Sequence, residues 1–222
     1  MEVNFCEERI IELQAAFSDE QVQERALAKR VDAFGQVARL FQRPKPEDIE
    51  IVAIQRRLEP FWHVVATAHY TYERQHVYRV EVPPEVRAVT IRDQKFEVVA
   101  EKGSFLEVPA LDHCHEESRR EMLVDAISGR ESELKRYLVF GKSEVPDLES
   151  LRVNNTVVLP PQTRSSLLAR KIIALLVRTF EADVILEDRI DFEELTLYYR
   201  PVHAIEYLWG RNRNVRWLSW TR

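Results

Sequence analysis

Leu58-Glu59-Pro60-Phe61-Trp62-His63-Val64, LEPFWHV, stands in the middle of a stretch rich in β-branched and aromatic residues. A proline cannot donate to a sheet ladder, so inside such a run it marks an edge, a bulge or the start of a strand. The residue before it is pushed into extended geometry in any case. We therefore read Pro60 as the first residue of a strand that follows a bend, and the whole heptapeptide as structural. Outward from it the strand signals continue. Glu50–Arg57, Phe61–Tyr72, His76–Val82, Val86–Arg92, Lys95–Glu101 and Ser104–Pro109 are short runs of strand-forming residues, separated by PPE, RDQ and EKGS. Short connections of this kind predict antiparallel neighbours, with His69 and His76 bracketing a hairpin at YTYER.

The flanks read as helical. Ile10, Ile11, Leu13, Ala15 and Ala16 give Glu7–Phe17 a broadly helical pattern. Ser18 offers an N-cap oxygen to a second helix over Asp19–Leu40, which Arg43-Pro44-Lys45-Pro46 ends. HEESRREMLVDAISG, ending at Gly129, returns to helical spacing, and ESELKRYLVFG offers a further short helix. NNTVVLPP then reads as a strand leading into a strong helix, QTRSSLLARKIIALLVRTF, followed by four strand-like runs to the end of the chain.

A shift of 141 residues brings Pro60 onto Pro201 without a gap. Across 27–68 against 168–209 the identical pairs are those of Leu27, Ala28, Ala33, Ile49 and Pro60. With the order helix, proline-broken strand pair, turn, strand recurring, this predicts an internal duplication with units of 17–82 and 158–222. In each, the strand after the proline (Phe61, Trp62 and Val64; Val202, Ile205 and Tyr207) would pack beneath its own helix. The expected fold class is α+β: a predominantly antiparallel sheet with helices packed on one face. Residues 1–157 would hold the N-terminal helices, the first helix and meander, and a central helical insertion. Residues 158–222 would hold the second helix and meander, the two parts forming one pseudo-symmetric body.

Composition narrows the functions. At 222 residues, 45% hydrophobic and 31% charged, the chain has the make-up of a globular protein with a sizeable core. A net charge of −5 provides no global attraction for nucleic acid or an anionic membrane. The five glycines are scattered, which excludes glycine-rich phosphate-binding loops. Two cysteines are too few for a disulfide scaffold, and MEVNFCEERIIELQ is no signal peptide, so a cytoplasmic location is expected. The most apolar run, Leu167–Phe180, is short of the roughly 20 residues that a spanning helix needs and contains three basic residues.

Two clusters could carry chemistry. In DHCHEE, Asp112–Glu117, the side chains of His113, Cys114 and His115 are zinc ligands by type. A second ligand pair is missing from the sequence, so a zinc site here would have to recruit Cys6 or Glu116 through the fold. No cofactor motif is present otherwise. Cys114 between two histidines also suits a reactive thiolate, without a glycine to build an oxyanion hole beside it. The C-terminal run WGRNRNVRWLSWTR carries four arginines, three tryptophans and no acid. A hairpin turn at GRNRN would gather Arg211 and Arg213, and the strand beyond would set Arg216, Trp220 and Arg222 on one face. Arginine beside aromatic rings serves phosphate contact and base stacking, and equally serves protein hot spots. The alternative is a last strand whose indoles finish the core.

The reading that follows is a non-enzymatic, cytoplasmic binding or accessory module that docks a protein partner or itself, with a homodimer through sheet edges as one form. Its rivals are a nucleic-acid-associated protein using the C-terminal arginines, and a metal-dependent or cysteine enzyme centred on His113, Cys114 and His115.

Overall fold

The computed structural model describes residues 1–35, 41, 43–100, 103–133, 135–152 and 156–218. Strand accounts for 54%, and among the described residues only two short α-helices occur, which overturns the expected helix-packed α+β architecture. The sheet is also mixed, with three parallel pairings among the described residues. The strands are β1 (Glu2–Asn4), β2 (Arg9–Leu13), β3 (Ile49–Glu81), β4 (Ala88–Ile91), β5 (Gln94–Ala100), β6 (Ser104–Asp125), β7 (Lys142–Val145), β8 (Val157–Val158), β9 (Val184–Trp209) and β10 (Asn212–Leu218). The helices are α1 (Asp19–Lys29) and α2 (Ser165–Leu176). Among the described residues no helix is long and apolar enough to cross a membrane.

The chain divides into two units, and β3, β6 and β9 each give residues to both. The first unit comprises Met1–Phe5, Ala66–Arg120 and Ile173–Phe192. Within it β4, β5, β6, β3 and β9 lie side by side, and β1 runs parallel to β9 from Arg189 to Asp191. The turn between β4 and β5 is formed by Arg92 and Asp93, both at positive φ, the geometry whose twist matches paired strands. Tyr70 and Tyr72 pack on Phe180, and Tyr70 donates to the carbonyl of Leu176 at the end of α2. The hairpin expected between His69 and His76 does not exist, because β3 runs unbroken through YTYER.

The second unit comprises Cys6–Val65, Glu121–Ile172 and Glu193–Arg222. Here β2 lies between β9 (parallel) and β7 (antiparallel), while β10 folds back on β9 through the Gly210-Arg211 turn. Helix α1 opens with a capping box in which Ser18 and Gln21 bond reciprocally. Its Val22 and Ala26 pack with Ala33, Ile49, Ile205 and Tyr207, and the Tyr207 hydroxyl donates to Ala26 O. Ile205 and Tyr207 thus lie under α1 and not under α2, their expected partner. Trp62 likewise meets the start of α2, donating from Nε1 to Thr163 O at 2.8 Å. The repeated helix-and-meander unit is not what either stretch forms.

Both prolines sit inside continuous strands, and the pairing explains why they are tolerated. A strand residue points its N–H and C=O to the same side. The carbonyl of Pro60 accepts from Ala126 N, one residue past the end of β6, so the missing donor falls where that neighbour has stopped. Pro201 falls between the part of β9 that β2 covers, ending at Tyr199, and the part that β10 covers, beginning at His203. Each proline occupies a gap between partners, the internal equivalent of an edge.

Two helical expectations fail for one reason. Glu7–Phe17 contains β2, whose Ile11 and Leu13 are buried at a spacing of two. HEESRREMLVD is part of β6, where exposure alternates as far as Arg119, after which Met122, Leu123 and Val124 are buried, and acids find partners across the sheet. Period-two burial and cross-strand pairing override a helical composition. The short helix expected in ESELKRYLVFG is a single 3-10 turn, Lys135–Tyr137.

Candidate functional site

In the first unit, β6 presents DHCHEE against β3 in antiparallel step. Asp112 accepts from Arg74 at 3.1 Å and from the Tyr78 hydroxyl at 2.7 Å. His113 Nδ1 lies 3.1 Å from Glu73, His115 Nδ1 lies 3.2 Å from Thr71 Oγ1, and Tyr72 donates to Glu116 at 2.8 Å. The bond from Tyr78 and then that from Arg74 hold Asp112 below the usual carboxylate range. Glu116, then burial, then Cys114 push the Tyr72 phenol up to about 12. Strand alternation fixes the geometry of the predicted zinc cluster: His113 and His115 share the exposed face, and Cys114 points with Asp112 and Glu116 to the other. Cys114 thus lies on the opposite face of β6 from the two histidines, and no group of three metal-ligating side chains gathers among the described residues.

Of the C-terminal residues, Arg211 is exposed at the turn. Arg213 and Arg216 belong by their backbone to β10, opposite Leu208 and Ile205, so Arg213 is in the strand and not at the tip of the hairpin. Trp220 and Arg222 lie outside the described residues.

The most ordered polar constellation, in the second unit, was not read from the sequence. His63 on β3 is 7% exposed. Its Nε2 is 3.0 Å from Glu121 on β6, and its Nδ1 is 2.9 Å from Glu194 on β9, off the line of a directed hydrogen bond. Lys135 donates to the other oxygen of Glu121 at 2.6 Å; the Tyr198 hydroxyl donates to Glu194 at 3.0 Å and accepts from Lys142 at 3.1 Å. Burial works against the charge of Glu194, but the bond and charge of His63, with the Tyr198 bond, hold it down at about 2. Burial and then Glu194 push the Tyr198 phenol upward. Only Nε2 is hydrogen-bonded, to Glu121; Nδ1 lies beside Glu194 without a directed bond. A general base needs a free lone pair within reach of a substrate proton. His63 is 7% exposed and has a carboxylate beside each nitrogen, and the constellation links β6, β3 and β9. A lone histidine, flanked in sequence by Trp62 and Val64, carried no signal of this, since both partners come from distant strands.

The first unit holds a different feature at the start of β9. Val184, Ile185 and Leu186 are consecutive and 47%, 55% and 59% exposed. Successive strand residues alternate faces, so both faces of this segment are open. On one side β9 is bonded to β3, and on the other β1 begins only at Arg189. Acids flank the apolar triplet: Glu181 and Asp183 before it, Glu187 and Asp188 after it. The preceding Asp183 is anchored, its backbone to Glu73 O and its carboxylate to Gln75 N.

No family model, curated protein or solved structure matches this chain.

Proposed function

We propose that this chain is a non-enzymatic binding module that takes an extended segment of a partner protein along the open edge of β9 in the first unit. The observation that carries this is the run Val184-Ile185-Leu186, apolar and exposed on both faces, on an edge of β9 where, among the described residues, no strand is paired before Arg189. An open edge offers main-chain donors and acceptors to an added strand, and side chains on alternate faces supply specificity. The flanking acids set the chemistry of the occupant: apolar at its centre, basic at its ends. A second copy of the chain fits less well, because the antiparallel register that centres Ile185 on itself sets Asp183 against Glu187. Cys6 and Cys114 are free thiols, in keeping with a cytoplasmic location.

The experiment is capture of partners by the tagged protein, with and without nuclease, in parallel with Leu186→Pro and Ile185→Lys. The captured partner is then returned to the protein for hydrogen exchange. Capture that resists nuclease, is lost in both variants and slows exchange at Val184–Asp188 supports the reading. A partner retained by both variants, or one that protects a different surface, overturns it. Capture that nuclease abolishes would favour a nucleic-acid contact by the C-terminal arginines.

A further inference from the structure

A second buried histidine in the second unit has no side-chain hydrogen-bond partner among the described residues. It is His203, on β9, and it is 6% exposed. Its ring nitrogens are not sealed from solvent, so the ring presents a donor and an acceptor to the space that it faces. The ring lines a cavity of about 550 Å³ whose other walls are Asp19, Val22 and Gln23 of α1, and Ala53, Ile54, Gln55 and Arg56 of β3. The cavity thus lies at the first turn of an 11-residue helix, where backbone N–H groups remain open beyond the Ser18–Gln21 capping box.

The lining has a specific chemical character. It holds one cation, Arg56, and one anion, Asp19, with two carboxamides, Gln23 and Gln55, as neutral donors and acceptors. Arg56 uses one terminal nitrogen on Glu12 at 3.3 Å, which leaves most of its five N–H donors free. Val22, Ala53 and Ile54 give the same cavity an apolar wall. Burial lowers the affinity of His203 for a proton, Arg56 lowers it further and Asp19 opposes them, so the ring is tuned toward the neutral form that both donates and accepts.

We propose that this cavity is a binding site for a free α-amino acid, its carboxylate on Arg56 and the α1 amides, its ammonium on Asp19, and a ring nitrogen of His203 completing the contact. A simple anion would be repelled by Asp19 and a simple cation by Arg56; a ligand with both charges a few bonds apart satisfies each. The apolar wall takes the side chain. This site is independent of the β9 edge, and neither reading depends on the other.

The test is titration of the full chain with L-leucine, L-glutamine and L-serine, following the His203 ring resonances by NMR and the affinity by calorimetry. N-acetyl-L-leucine and L-leucinamide, each lacking one charge, are the controls. The expected result is that the free amino acids shift the resonances of His203 and not those of His63, and that both derivatives bind leucine's site roughly tenfold or more weakly. Arg56→Gln weakens leucine by a similar factor, whereas Glu12→Gln, which removes only the protein partner of Arg56, leaves binding intact; thermal unfolding checks that both variants are folded. If none of the three amino acids moves the His203 resonances, or N-acetyl-L-leucine binds as tightly as leucine, the proposal is overturned.

Discussion

His63 and His203 are buried to almost the same extent in the second unit, on the neighbouring strands β3 and β9, and their surroundings are opposite. His63 is held between two carboxylates, one on each adjoining strand, and those carboxylates are in turn held by Lys135 and Tyr198. The His203 ring faces a cavity and makes no hydrogen bond among the described residues. In one case the fold sets a carboxylate beside each ring nitrogen. In the other it supplies a shaped space and a donor–acceptor ring, and leaves the rest to come from outside. Burial alone therefore does not tell the two histidines apart; the groups that face each ring do.

The largest expected effect breaks this contrast directly. His63→Leu strands Glu121 and Glu194 without their shared partner and should cost about 3 kcal/mol in chemical denaturation. His203→Leu removes no protein bond and should stay within about 1 kcal/mol of the parent chain. Equal losses for the two would mean that the surroundings of the rings do not decide their roles.

The second effect separates the two sites by pH. Glu194 has a folded pKa of about 2 against an ordinary 4.5, so its stabilisation is complete above about 4.5 and is lost as the pH falls from there toward 2. His203 has a folded pKa below its ordinary 6.5, so the unfolded chain takes up a proton first, and stability begins to fall as the pH drops below 6.5. Stability measured from pH 7.5 to 3 should show both limbs. Glu194→Gln flattens the lower limb and His203→Leu the upper one.

Smaller effects sharpen the same point. Trp62→Phe removes a buried N–H donor and leaves Thr163 O unpaired, an expected loss of about 1 kcal/mol by thermal or chemical unfolding. At the exposed end of the scale, His113 and His115 face away from Cys114, so Cys114→Ser should leave any zinc affinity unchanged, as measured by competition with a chromogenic chelator. A loss of zinc in that variant would restore the three as one site.

Some of this was legible in the residues. The periodic SSLLARKIIALL forms α2, Ser18 caps α1 as its oxygen suggested, and Arg92-Asp93 makes the turn between two recognisable strands. These are local signals, satisfied by atoms a few residues apart. Ile10–Leu13 was misread because four residues fit either period, and the neighbours β7 and β9 that bury Ile11 and Leu13 lie far along the chain. The charged run of β6 was misread because Tyr72, Arg74 and His63, which pair its acids, belong to another strand.

By itself, then, the sequence determined where the chain can bend, which segments cap and which are strand-forming, and that it carries no glycine-rich phosphate loop. The tertiary structure alone decided that β3 and β9 run straight through their prolines, because only the gaps beside Pro60 and Pro201 make a missing N–H harmless there. It also decided which histidine is pinned and which is open. Both are a single ring in a run of strand-forming residues, and only the distant side chains brought beside each ring, Glu121 and Glu194 for one and Asp19 and Arg56 for the other, distinguish them.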